Sequence, residues 1–161
     1  MREPADLIVE EQGADALDAV MAVMQDSFAP RYGEAWTAAQ TASLLPMPGV
    51  WLTLARSGND PVGFALGRIV AGEAELLLLA VRHHAQQAGL GGELLRRFAR
   101  IASARGAERL HLEVRDGNPA VQLYLKAGFN LVGRRRNYYS GTGGEMFDAL
   151  TLSRRSHPEL G

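Results

Sequence analysis

No cysteine occurs anywhere in the 161 residues. That absence excludes disulfides, thiolate metal ligands and any covalent acyl-cysteine intermediate. Charge of one sign is not in excess either, since 17 Lys plus Arg stand against 18 Asp plus Glu for a net −1. The chain therefore offers no global electrostatic reason to expect nucleic acid or an anionic membrane surface as a partner. No uninterrupted apolar stretch approaches the ~20 residues of a membrane span. The start, "MREPADLIVEEQ", lacks the basic opening and apolar core of a signal peptide. A cytoplasmic protein without a membrane partner is the expectation. Long linkers and internal repeats are missing, and at 47% hydrophobic content the chain suits a single domain over residues 1–161. His83 and His84 lack spaced acidic or thiol partners, so no metal site is expected.

What is present is an alternation of strand-like and helix-like segments. "DLIVE" reads as a first strand, and Leu17, Val20, Met21, Met24 and Phe28 recur at helical spacing. A weaker helix is expected in "EAWTAAQTASLL", stopped by Pro46 and Pro48. Three strands follow, "VWLTLAR", "VGFALGRIV" and "EAELLLLAV", joined by the turn-like "SGNDP" and "AG" of antiparallel hairpins. The third is the most apolar, as a strand buried on both faces should be. Leu90, Leu94, Phe98 and Ile101 line one helical face that ends at Gly106. "ERLHLEVR" alternates, with Leu110, Leu112 and Val114 on one side and Arg109, His111, Glu113 and Arg115 on the other. Asn118 and Pro119 start a short helix closed by Gly128, and "FNLVGRR" and "EMFDALTLSR" give two last strands. "SGTGG" and the tail "RRSHPELG" are expected to be mobile.

One stretch departs from ordinary helix chemistry. "HHAQQAGLGGELLRR" places glycines at 89, 91 and 92, between the most apolar strand and the helix that follows it. Strand, helix and strand here form a βαβ unit with parallel strands and a right-handed crossover, so the loop sits at the C-terminal end of a central strand. Free amides at a helix N-terminus attract anions such as phosphate, and glycines let the anion reach the backbone. A tight turn alone would also use glycines. Leu94 replaces the third glycine of G-x-G-x-x-G, and no G-K-[ST] is present, so two familiar nucleotide loops fit badly.

Gln86-x-x-Gly89-x-Gly91 does resemble the Q/R-x-x-G-x-G/A element with which the GNAT N-acetyltransferases bind the pyrophosphate of acetyl-coenzyme A. "LYLKAGF" and "GRRRNYY" also stand where that family has them, over roughly residues 50 to 152. "HLEVRDGN", "LYLKAGF" and "RRNYY" are most similar to the ribosomal-protein-alanine N-acetyltransferases within it. The resemblance implies a mixed α/β fold. Its sheet of six to seven mostly antiparallel strands would hold one parallel βαβ cofactor unit, flanked by about four helices. It implies acetyl-coenzyme A as cofactor and, as acceptor, the N-terminal alanine of a small-subunit ribosomal protein. A lysine side chain or small amine is the alternative acceptor, and a silent coenzyme A-binding or interaction module is the alternative of another class.

Acetyl transfer from a thioester to an amine needs a neutral amine, a stabilised oxyanion and a proton for the leaving thiolate. With no cysteine, direct attack in a ternary complex is the simplest route. By the resemblance Glu113 is the general base; the bland alternative is a solvated strand Glu paired with Arg109 or Arg115. Tyr124 matches the family's general acid, and an ordinary phenol of pKa ~10 could protonate a thiolate of pKa ~8.5; core packing with Val121 and Leu125 is its other reading. Backbone amides at Leu79, Ala80 and Val81 are expected to face the thioester and pantetheine arm. The loop Gln86, Gln87, Ala88, Gly89, Leu90, Gly91 and Gly92 is expected to face the pyrophosphate. Tyr138 and Tyr139 resemble the pair that shapes the acceptor pocket, with hairpin packing as the alternative. Asn118 is either a cofactor contact or a helix cap, because its spacing to Tyr124 is one residue shorter than usual. Gln87 and Ala88 stand where the family usually has a second basic residue, so affinity must lean on backbone amides and on Arg82, Arg96 or Arg97. The segment from about 28 to 49, where the acceptor should meet the chain, yields no pattern.

Overall fold

Seven strands make one sheet in the computed structural model, which describes residues 7–156, the side chains of Gln87 and Ala88 excepted. They are β1 (Leu7–Gln12), β2 (Val50–Ser57), β3 (Asp60–Val70), β4 (Glu73–Val81), β5 (Arg109–Arg115), β6 (Asn130–Ser140) and β7 (Met146–Arg155). Their order is β1-β2-β3-β4-β5-β7-β6. Every neighbouring pair is antiparallel except β4 and β5, which run parallel. That exception follows from the crossover by α3 (Leu90–Ala104), whose length returns the chain to the same edge of β4. The expected mixed fold and its parallel unit are present.

Two apolar layers hold the sheet. On one face α3 and α4 (Ala120–Lys126) bury Leu94, Phe98 and Tyr124 against Ala74, Leu76, Leu110 and Leu112. The opposite face takes α1 (Leu17–Ser27) and α2 (Ala38–Leu44), with Val20, Val23 and Met24 on Leu52, Leu54, Phe64 and Leu66. Trp51 stacks on Phe98 with ring centres 5.4 Å apart. Gly67 makes room for both, since a Cβ there would come within 2.7 Å of the Trp51 ring. Among the described residues no helix is long and apolar enough to cross a membrane.

Three boundaries differ from the sequence reading in ways that matter for function. α2 starts only at Ala38, where Thr37 and Gln40 form a reciprocal capping box, so Glu34 and Trp36 belong to the preceding loop. β6 runs on to Ser140 with irregular pairing between Arg135 and Tyr139, which puts both tyrosines on a strand. The "SGTGG" stretch is docked rather than free: the Thr142 amide donates to the Pro30 carbonyl at 3.2 Å. A Cβ on Gly33 would strike the Ser140 carbonyl, and one on Gly141 the Arg31 carbonyl, so the two loops touch backbone to backbone. Asp6 of the expected first strand and residues 157–161 of the expected tail lie outside the described residues.

Candidate active site

β4 and β5 start as a pair, from Glu73 opposite Arg109 to Leu76 opposite Leu112, and then part. On the other edge of β4, Leu78 lies opposite Leu66 and Leu76 opposite Gly67, so Leu77 is an extra, bulged residue. The bulge inverts the pleat. Ala74 and Leu76 pack toward α3, whereas Leu78 and Ala80 pack toward α1. Beyond it, the amides of β4 that turn toward β5 have lost their strand partner. Negative charge developing between the parted strands would meet N–H donors fixed by the sheet.

The gap is a cleft of about 600 Å³. Its walls bring together Leu79, Ala80, Val81, Gln86, Gly89, Gly91, Gly92, Glu113, Asn118, Tyr124, Tyr138 and Tyr139, all expected from sequence. Leu90 is not among them: its side chain is buried in the core, leaving only its backbone for a ligand. Gln87 and Ala88 complete the short 3-10 turn His83–Ala88, and their side chains lie outside the described residues. Gln86 folds back, its amide donating to the Val81 carbonyl at 2.9 Å and fixing the loop to the end of β4. Gly89 has φ +78° with nothing near its missing Cβ, while a Cβ on Gly91 would lie 3.3 Å from Leu123. Only the first therefore opens freely onto the cleft. Arg96 and Arg97 both pair with Glu93, and Arg97 also reaches the Val9 carbonyl. Arg82 keeps a buried Nε without a hydrogen-bond partner among the described residues.

Glu113 is held at both oxygens. The Arg135 Nε donates to Oε1 at 2.9 Å and the Thr151 hydroxyl to Oε2 at 2.7 Å. Its partner is thus Arg135 on β6, not Arg109 or Arg115 of its own strand. Tyr124 lies on α4, 5% exposed, with its ring edge-on to Phe129 at 6.0 Å. Burial, with Tyr139 and Glu34 adding to it, pushes its phenol well above the ordinary tyrosine range. Tyr139 moves the same way through burial, then Glu34, Tyr138 and Glu113, with Arg115 opposing. Both phenols hold their protons far beyond neutral pH.

Sequence reading missed a second buried group in the same cleft. Arg115 alternates with solvent-side residues, yet it is 7% exposed. Its Nε lies 3.2 Å from the Glu34 carboxylate, and its guanidinium sits 3.7 Å from the centre of the Tyr32 ring. Asn118 joins the pair, its amide donating to Glu34 at 2.6 Å while its oxygen accepts from the Ala120 amide at 2.8 Å. The second bond holds the first amide of α4 from two residues before it, so both ends of the Asn118 side chain are occupied within the protein. No local pattern announces Glu34, because its partners lie more than 80 residues away in the chain.

A second hollow of about 850 Å³ lies at the far end of the β4–β5 pair, lined by Arg68, Glu73, Glu75, Glu108, Arg109 and His111 among others. It contains none of the expected site residues. Among the described residues no group of three His, Asp or Glu could hold a metal ion.

The chain is similar to known proteins. This chain is 37% identical over 95 residues to the ribosomal protein bS18-alanine N-acetyltransferase of Haemophilus influenzae, covering 59% of this chain and 65% of that protein. It is 41% identical over 107 residues to the N-alpha-acetyltransferase RimI of Mycobacterium tuberculosis, covering 63% and 64%. The chain thus spans somewhat less than two thirds of those curated relatives' own length. The crystal structure of the ribosomal-protein-S18-alanine N-acetyltransferase from Escherichia coli superposes with a TM-score of 0.84 at 28% identity, over 95% of this chain and 96% of that one. Residues 17–129 match the model of the acetyltransferase (GNAT) family, and with the parted β4–β5 pair, the glycine loop and a cleft lined by Glu113 and Tyr124, this chain belongs to that family.

Proposed function

We propose that this protein transfers acetyl from acetyl-coenzyme A to the N-terminal α-amino group of a protein, an alanine of a small-subunit ribosomal protein, by direct attack in a ternary complex. The observation that carries the reading is that one cleft joins a glycine-opened helix N-terminus at one end to Glu113 and Tyr124 at the other. The residues present fit the cofactor. The α3 amides and the open side of Gly89 suit a pyrophosphate, and the apolar wall from Leu77 to Val81 suits the pantetheine arm. When bound, the cofactor supplies an activated thioester; the rest is done by the chain. Glu113, anchored through Thr151, takes a proton from the acceptor ammonium, directly or through a water. Backbone amides of Leu79 and Val81 face the developing oxyanion, whereas that of Ala80, also expected from sequence, turns to β3 by strand alternation.

Burial adjusts the role of Tyr124. A phenol raised far above pKa ~10 holds its proton, and complete transfer to a free thiolate of pKa ~8.5 is strongly uphill. Its O–H therefore serves first as a hydrogen-bond donor to charge growing on sulfur. The names of the relatives favour a terminal alanine as acceptor. The contact of Gly33 and Gly141 favours a chain end as well, since it joins two walls that a through-running chain would have to separate.

An assay across alanine-starting peptides, N-blocked lysine peptides and polyamines tests the acceptor. Acetylation of the first group is expected; turnover confined to lysine or polyamines would replace this reading. The cofactor end is tested by Gly89→Val. A β-branched residue at positive φ strains the loop and puts bulk where the anion must approach, so coenzyme A affinity should fall by about tenfold or more. Calorimetry on the folded variant measures this, and unchanged affinity would remove the loop from the cofactor site. Gly91 is the poorer probe because of its contact with Leu123.

A further inference from the structure

We propose that Arg135 is an internal stand-in for the acceptor ammonium, docked on Glu113 until the acceptor displaces it. This rests on the reading of Glu113 as the group that receives the acceptor. The register puts Arg135 on the same sheet face as Glu113: Glu113 lies opposite Thr151, and Ala149, two residues before Thr151, lies opposite Arg135. Gly133 opposite Thr151 contributes no side chain to that row, so the guanidinium reaches diagonally over it to Oε1. The other oxygen belongs to Thr151. Each carboxylate oxygen keeps a second lone pair, but an ammonium arriving there meets the like charge of Arg135 beside it, so close pairing requires one occupant to give way.

The geometry names which. Thr151 is fixed by its strand and rotates only at χ1, whereas the Arg135 side chain is 64% exposed on an edge strand, against 12% for Glu113. An exposed guanidinium paired with a carboxylate is weakly held, because solvent competes for both charges. A resting place lies beside it, since the Arg135 guanidinium is already 5.8 Å from the centre of the half-exposed Tyr138 ring, where cation–π attraction can keep it. Arg135 thus resembles the acceptor in charge and in donors, and it occupies the same carboxylate oxygen. Arg135 is a specificity-determining residue in this scheme: cations that bind Glu113 no better than a tethered guanidinium are kept out.

Arg135→Met and Arg135→Lys, each saturated with coenzyme A, separate this from a supporting role. Calorimetry with an alanine-starting peptide should show tighter binding to Arg135→Met, by about two- to fivefold, the factor an exposed ion pair is worth. Arg135→Lys should fall between the two. Methylguanidinium should compete with the peptide on Arg135→Met far more strongly than on the wild type. Equal or weaker peptide binding to Arg135→Met, or no gain in methylguanidinium competition, overturns the proposal while leaving the acetyltransferase reading in place. A wild type that acetylates no terminal amine overturns that reading and, with it, this role for Arg135.

Discussion

Tyr124→Phe should keep its fold and its coenzyme A affinity and lose about 10²- to 10³-fold in turnover, the range seen when one preorganised donor to a developing charge is removed. The substitution deletes an O–H and nothing else, so the edge-on contact with Phe129 survives. If Tyr124 were only a core aromatic, Phe would turn over like the wild type and Ala alone would be impaired. A donor role makes both slow, with Phe still stable. The pH dependence adds a second check. Because burial keeps the phenol protonated, no loss of activity through Tyr124 ionisation should appear up to pH ~10, the ordinary tyrosine value. Steady-state rates of the Phe variant within about threefold of wild type would return Tyr124 to packing, being far below the range for a lost catalytic donor.

Glu113→Gln should be equally costly, about 10²- to 10⁴-fold, but only where the acceptor amine needs help to lose its proton. An α-amino group of pKa ~8 is mostly charged below that pH and mostly free above it, so the deficit should shrink as pH rises. The amide replaces the carboxylate without new strain. Its oxygen can accept from Arg135, and the Thr151 hydroxyl, which now donates, can accept from the amide instead. Fold and cofactor binding should therefore be unchanged. Rates measured from pH 6 to 9 decide it, because wild-type turnover at pH 7 would take Glu113 out of the reaction.

The glycine-loop end of the candidate site, proposed to take the cofactor, was legible because its signals are local. "EAELLLLAV" has the boundaries of β4, the helical face of Leu90, Leu94 and Phe98 forms α3 as read, and the glycines stand where strand gives way to helix. The end lined by Glu34, Arg115 and the tyrosines was not. Glu34 belongs to a segment without periodicity, and it becomes a site residue only through Arg115 and Asn118, which the fold brings from far along the chain. Arg115 itself was misplaced because alternation on β5 predicts which face a side chain leaves from, not whether a loop later covers that face. The bulge at Leu77 was hidden for a different reason: four consecutive leucines read the same with or without a shift of pleat. Glu113 and Tyr124 were named through the family resemblance, whereas the Arg135 and Thr151 partners of Glu113 needed the register of three strands.

The backbone contact between Gly33 and the Ser140 carbonyl joins parts of the chain that are made far apart in time. The parallel unit, residues 73–115, closes through a short stretch of sequence. The acceptor wall must wait for the last hairpin, and its closure carries the entropy of a loop more than twice as long. The two walls of the cleft therefore close over unequal spans of sequence, the glycine-loop side locally and the side of Tyr138 and Tyr139 only when residue 33 has met residue 140.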